Sequence, residues 1–402
     1  MKSNPVYHIA IVASVLSESF FFASTSVLAA ESKVHQFGAT EVTAMLSTSL
    51  GYGDNVFRGS DVQTSSGIFR LQPSVQAIRE SNKQTITLGY EGSATAFSNS
   101  SDDNHSSNTI SGDYIRRLNS VSEFGVGFGF EDGSSIRGSG VTEGSNGNVD
   151  GATEFTRKDM SLSYAIGSEK VGPSLALAYN LTDLKFDNFE LINQGRDYQL
   201  KAVTARLGYQ YSVVTDFFVD LGHSDFSYDG ISSFLGANLN STEQSLLVGV
   251  GWRFNRLTSG EISVGTVDKD FDNFSDPSSF TAWNAQLEWT PTARDTITLE
   301  SLSKPFEQVG TGLFQEVTQT TIDWNRNISK KLSVSAGMTI GAIDFGSVSR
   351  EDDFDTVNLG VVYRSGRYSE WALNYEYEEK ESTLAEFNYD SNNVFLTYSL
   401  SL

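Results

Sequence analysis

The stretch Leu332-Ser333-Val334-Ser335-Ala336-Gly337-Met338-Thr339-Ile340-Gly341-Ala342 decides the fold. In an extended chain Leu332, Val334, Ala336, Met338, Ile340 and Ala342 share one face and Ser333, Ser335, Gly337, Thr339 and Gly341 the other, a sorting that a helical period would destroy. Leu246, Val248, Val250, Trp252 and Phe254 repeat the arrangement against Gly249, Gly251 and Arg253. Trp371, Leu373, Tyr375 and Tyr377 do so against Asn374, Glu376 and Glu378. The second and third of these apolar rows carry aromatic residues near one end, which fits the interfacial girdle of an outer-membrane barrel.

Outward from these segments the same alternation recurs about eighteen times, from a first strand at 40–52 to a last at 389–402. The breaks alternate between tight ones, such as Arg79 to Lys83 and Asn327 to Lys330, and long ones, such as Gly133 to Ala152 and Asp229 to Asn240. The pattern predicts an all-β fold, a transmembrane up-and-down antiparallel β-barrel of about 18 strands, with the tight turns and both termini in the periplasm. Residues 40–402 form that barrel, 31–39 a short periplasmic segment ahead of it, and 1–30 a secretory signal with Lys2, an apolar stretch and a small-residue cleavage site near Ala29. The destination is the outer membrane of a Gram-negative bacterium after Sec-dependent export, among lipid and lipopolysaccharide.

Composition agrees with this reading. A mean hydropathy of −0.25 would be low for a helical membrane protein, but a barrel turns only half of each strand to lipid. The formal charge of −22 excludes nucleic-acid binding, which needs clustered Lys and Arg. With no Cys there is no disulfide framework and no thiolate metal site. Acidic runs at Asp268, Asp270, Asp272 and Asp276, and at Glu351, Asp352, Asp353 and Asp355, read as solvated outer loops.

Two places interrupt the pattern. Pro73 cannot donate a ladder hydrogen bond, which predicts a bulge or an early strand end. The long Gly- and Ser-rich break Gly133 to Ala152 has few apolar anchors, Ile136 and Val141 among them, and reads as disordered in preference to folding inward.

If the apolar row faces lipid, the other row lines the lumen and carries Glu91, Arg206, Asp220, Arg253, Glu288, Glu300, Asp323, Arg364, Glu376 and Glu378. Carboxylates outnumber guanidinium groups there, so a water-filled lumen would favour cations and neutral solutes. Phe97, Phe218 and Phe395 fall on the inward row as packing residues. Catalysis is not expected: His223-Ser224-Asp225 would point to alternate faces of one strand and form no relay, and His105 reads as a loop residue beside Asp102 and Asp103. No catalytic residue, cofactor or metal ligand is assigned. At the end of the chain Val394, Leu396, Tyr398, Leu400 and Leu402 alternate to the last residue, resembling the terminal-strand signal read by the barrel assembly machinery.

The segment Gly51-Tyr52-Gly53-Asp54-Asn55-Val56-Phe57-Arg58 resembles the start of the outer-membrane family called beta-barrel porin type 2. Tyr52, Asp54, Asn55, Phe57 and Arg58 match its early motif, and Gly53 stands where another Asp is common. The resemblance implies a passive conduit, in some members encoded beside exopolysaccharide biosynthesis genes and working with periplasmic polysaccharide-export proteins. The expected function is a channel for exopolysaccharide export or sugar-like solutes; a general diffusion porin and a structural or adhesive barrel with loop-borne binding are the alternatives.

Overall fold

The computed structural model describes residues 32–144, 149–167, 171–254, 257–274, 278–307 and 312–402. The expected signal segment 1–30 and Asp276 lie outside these residues. Nineteen strands run in order: β1 Val34–Phe37, β2 Thr40–Gly53, β3 Ser66–Glu80, β4 Gln84–Phe97, β5 His105–Arg117, β6 Ser122–Ser135 and β7 Thr153–Gly167. They continue as β8 Gly172–Phe186, β9 Tyr198–Ser212, β10 Thr215–Tyr228, β11 Ser241–Phe254, β12 Thr258–Phe271 and β13 Ser278–Thr292. The last are β14 Asp295–Glu307, β15 Phe314–Asn327, β16 Leu332–Phe345, β17 Glu351–Arg364, β18 Ser369–Ser382 and β19 Tyr389–Ser401.

From β2 to β19 every strand pairs antiparallel with the next, and β19 returns to β2 with Val394 opposite Tyr52 and Leu400 opposite Leu46. This 18-strand ring has no open edge, which is what a sheet needs inside lipid. The outer face carries the apolar rows: Leu246, Val248, Met338, Ile340 and Leu373 are all exposed. Trp371 and Tyr398 lie with ring centroids 4.8 Å apart on that surface.

The segment ahead of the barrel is part of the sheet. β1 folds back on β2 through Gly38, whose φ of +64° suits the first position of a primed two-residue turn, and pairs Val34 with Thr43 through to Phe37 with Thr40. β19 stops short of this stretch: Leu402 N donates to Ala44 O at 2.9 Å, while Lys33 N donates to Ser401 Oγ at 2.7 Å. β1 thereby continues the ladder that the last strand leaves unfinished. Four residues are too few for alternation to announce a strand.

Pro73 produces neither a bulge nor a strand end. Leu71 pairs with Ala94 and Ser74 with Glu91, so the register is the same on both sides of the proline, and β3 runs on to Glu80. The ladder to β4 lacks pairs at Gln72 and Pro73 and then resumes. Both acidic runs also belong partly to strands. Asp268 and Asp270 lie in β12, and Glu351, Asp352, Asp353 and Asp355 lie in β17, where Asp352 is fully buried.

Candidate functional site

Ladder pairing carries the inward row around the whole ring. Arg206 stands opposite Asp220, Glu91 opposite Thr109, Arg253 opposite Ser259 and Glu288 opposite Thr298. Glu300 faces Gln286 and Thr321, Asp323 faces Gly337, and Arg364 faces Glu370. Glu376 and Glu378 face Asn393 and Ser391. All ten lie opposite the exposed apolar rows. Arg206 is a wall brace as well: it forms a two-pronged bond to Asp220 at 2.7 Å, reaches Glu261 at 2.9 Å, and lies 3.9 Å from the centre of the Phe218 ring. Fixed geometry of this kind suits a guanidinium and reduces its availability to a passing anion.

The two halves of the interior differ. Toward the short turns the inward side chains Glu91, Arg253, Gln286, Glu288 and Glu300 are exposed. Toward the long loops the same rows end in buried residues, including Thr95, Phe97, Val267, Lys269, Phe280 and Ala282. Phe280 packs there with Leu184, Tyr198, Leu200, Phe226 and Phe314 in one apolar cluster, and Phe97 with Val56, Phe57 and Ile68 in another. Phe97, Phe218 and Phe395 all point inward as packing residues; the ring of Phe395 lies 5.0 Å from Arg70. His105 is the first residue of β5, half-buried, with Nδ1 2.8 Å from the carbonyl of the buried Asp103.

The break after β6 is the main departure from the sequence reading, because its described part folds inward. Arg137 bonds Asp103 at 2.8 Å and lies 4.1 Å from the centre of the Phe57 ring. Gly138, at φ +80°, rests against the Phe57 carbonyl, and Thr142, with no exposed surface, receives the Gly138 N–H at 3.0 Å. Glu143 then reaches Arg350 at 2.8 Å and also bonds Lys380. Arg350 precedes β17 and Lys380 lies in β18, whereas the loop springs from β6 and β7; round the shorter arc of the ring β18 lies six strands from β6 and β17 eight from β7. The loop is therefore a strap that runs inside the long-loop end of the barrel from one wall to another. Composition could not foresee this, because the far anchor is a single polar residue, Glu143, whose partners lie 207 and 237 positions away.

At the far anchor Arg350 and Asp352 are both fully buried and joined side by side, and Arg350 lies 3.4 Å from the centre of the Phe387 ring. Burial alone would raise the Glu143 carboxyl, but Lys380 and Arg350 outweigh it and hold it below the ordinary value of 4.5. A depressed carboxyl stabilises the docked strap above its ordinary pKa and loses that contribution as pH falls through the lowered one. Channel current is thus expected to rise on acidification below pH 4.5, and a Glu143→Ala barrel should lack that step. At the near anchor a methyl group on Gly138 would overlap the Phe57 carbonyl in a backbone conformation that L-residues avoid. Gly138→Ala is expected to undock the strap, seen as faster tryptic cleavage after Arg137.

The motif that carries the family resemblance builds the seat for this strap. Asp54 accepts from the Asn392 backbone and side chain at 2.7 and 2.8 Å, tying the first loop to the last strand. Asn55, almost fully buried, donates to the carbonyls of Gly59 and Asp390 at 3.0 and 2.9 Å. Phe57 lies under Arg137, and Arg58, at φ +51°, grips Glu378 with bonds of 2.9 and 3.1 Å. Tyr52 alone turns outward, exposed to the lipid side. A second buried charge group was missed from sequence: Lys269 bonds Glu307, which also accepts from Tyr228, with Glu243 3.7 Å away. Lys269 sits on the same inward row as the residues identified above, so strand phase could have found it; Glu307, at the last position of β14, gave no such signal.

A closed ring of amphipathic strands, apolar outside and charged within, defines an outer-membrane β-barrel channel. The chain belongs to the family described as "Putative beta-barrel porin 2", whose model matches residues 36–401. No curated protein sequence matches it. Among solved structures it is similar to Pseudomonas aeruginosa OccK2 (OpdF), with 12% identity, a TM-score of 0.51, and 90% of this chain and 98% of that one covered. Similarity to Pseudomonas aeruginosa OpdO is comparable, at 12% identity, a TM-score of 0.50, and 90% and 97% coverage. The FrpB iron transporter from Neisseria meningitidis matches at 8% identity and a TM-score of 0.48 over 84% of this chain, which spans only 62% of that protein's length. At these identities the likeness is one of fold. By its description the family is one of porins.

Proposed function

We propose that this barrel is a gated conduit for carbohydrate, passing exopolysaccharide or sugar-like solutes across the outer membrane of a Gram-negative bacterium. The observation that carries this reading is the asymmetry of the lumen: a charged, water-exposed half on the short-turn side meets an outer half into which residues 136–144 of the loop after β6 fold with their ion pairs. A strap held by ion pairs that can be released suits a polymer exit, which must stay shut between substrates. The seven carboxylates among the ten inward residues named above favour neutral or cation-compensated chains over polyanions. Periplasmic polysaccharide-export proteins would deliver the polymer to the short-turn mouth, after Sec-dependent export of the barrel and its insertion by the assembly machinery.

The test is single-channel recording of the refolded barrel in a planar bilayer, with neutral oligosaccharides added on the short-turn side. Cation-selective current interrupted by the sugars supports the carbohydrate conduit. Current that sugars leave untouched supports general diffusion, and silence even after the strap is released by substitution supports a structural barrel.

A further inference from the structure

The chain carries a formal charge of −22, yet three neighbouring short turns on its periplasmic side gather cations. Arg294 lies between β13 and β14, Lys330 and Lys331 between β15 and β16, and Arg364 ends β17. Together with Asn327, Ser329, Leu332 and Ser333 they line one cavity of about 290 Å³. The backbone holds these turns edge to edge: Asn327 N donates to the Arg294 carbonyl at 2.8 Å and Arg364 N to the Lys331 carbonyl at 2.8 Å. Within the middle turn Ser329 Oγ accepts from the N–H groups of Lys331 and Leu332, both at 3.1 Å, which fixes where the two lysines leave the chain. Arg364 Nη1 donates to the Lys330 carbonyl at 3.4 Å, and two carboxylates stand beside the cations, Asp295 next to Arg294 and Glu370 next to Arg364. Asp295 accepts from Thr292 at 2.5 Å, Trp324 at 3.2 Å and Arg326 at 3.4 Å, and Glu370 stands across the ladder from Arg364.

Like charges drawn together at a rim repel one another, and the ordinary arrangement would intersperse signs or spread them out. Here four cations share one concavity, three of them exposed. Their combined charge exceeds what the two flanking carboxylates, Asp295 and Glu370, would balance and suits a phosphate dianion, which can take a guanidinium fork together with ammonium point charges. The volume lies just below that of typical small-molecule sites, which fits a phosphate bearing at most a small substituent. We infer that the cavity between the β13–β14, β15–β16 and β17–β18 turns is a phosphate-binding site at the short-turn mouth. This chemistry has two sources, a soluble phosphate or phosphate monoester and the headgroup of an anionic phospholipid in the adjoining leaflet. The inference is independent of the carbohydrate reading, because it rests on the rim and not on the lumen.

The test uses the refolded full barrel in a phosphate-free nonionic detergent, titrated calorimetrically with inorganic phosphate. A parallel arm in nanodiscs compares retention of phosphatidylglycerol with that of phosphatidylcholine. The Arg294→Gln/Lys331→Gln double variant is set against Arg79→Gln/Lys83→Gln at a different short turn, and heat-modified gel mobility verifies that both fold. Saturable phosphate binding weakened at least tenfold by the first pair and untouched by the second establishes a site for soluble phosphate. Retention of phosphatidylglycerol with the same variant dependence, without binding of free phosphate, assigns the site to lipid. Equal weakening by both pairs, or no binding in either arm, overturns the inference.

Discussion

Replacing Glu143 by alanine should raise the open probability of the channel by about a hundredfold. Among the described residues of the strap this carboxylate meets both Arg350 and Lys380, and its loss removes one of the two carboxylates those buried cations share, the other being Asp352. Truncating one partner of a buried charged pair costs roughly 2–5 kcal/mol, and about 3 kcal/mol shifts the docked-to-released ratio a hundredfold. The barrel wall is held by ladder pairing that this substitution does not touch, so the circular dichroism spectrum should be unchanged. Planar-bilayer recording gives the readout. An open probability equal to that of the parent protein, at neutral pH and with normal refolding, would mean that the strap does not control the lumen.

Arg350→Met is expected to destabilise the barrel by about 3 kcal/mol, the lower end of the cost of breaking a buried ion pair, because Lys380 stays 3.7 Å from the buried Asp352. The parent guanidinium is fully buried, bonds Asp352 and Glu143, and lies over the Phe345 and Phe387 rings. Met keeps most of the apolar contact with those rings and removes the charge, so the loss reports on the ion pair and not on packing. The midpoint of urea unfolding in vesicles, followed by tryptophan fluorescence, measures it. Adding Asp352→Leu to Arg350→Met should recover part of the loss, because two apolar partners carry no unpaired charge. If the double variant is no better than the single one, the pair is not the source of stability. Glu143→Ala frees the strap alone, whereas Arg350→Met removes a strap contact and strikes the wall as well.

The sequence determined the barrel, its strand phase and the direction of each side chain, because alternation is a local property that eleven residues from Leu332 to Ala342 already display. It placed Glu91, Arg206 and Glu376 on the inward row before any contact was visible, since a strand's period of two leaves no other choice once lipid takes the apolar face. Tertiary structure decided what closes the interior. Glu143 meets Arg350 and Lys380 only because the ring brings β6–β7 and β16–β18 to facing walls, and Asn55 meets Asp390 only because the last strand closes on the first. β1 pairs with Thr40 to Thr43, the part of β2 that β19 leaves unpaired, a matter of stagger that no stretch of four residues encodes. Pairing between distant residues depends on the number and tilt of the strands between them, so the wall is written along the chain while the strap, the seam and the phosphate-sized cavity exist only once the ring is shut.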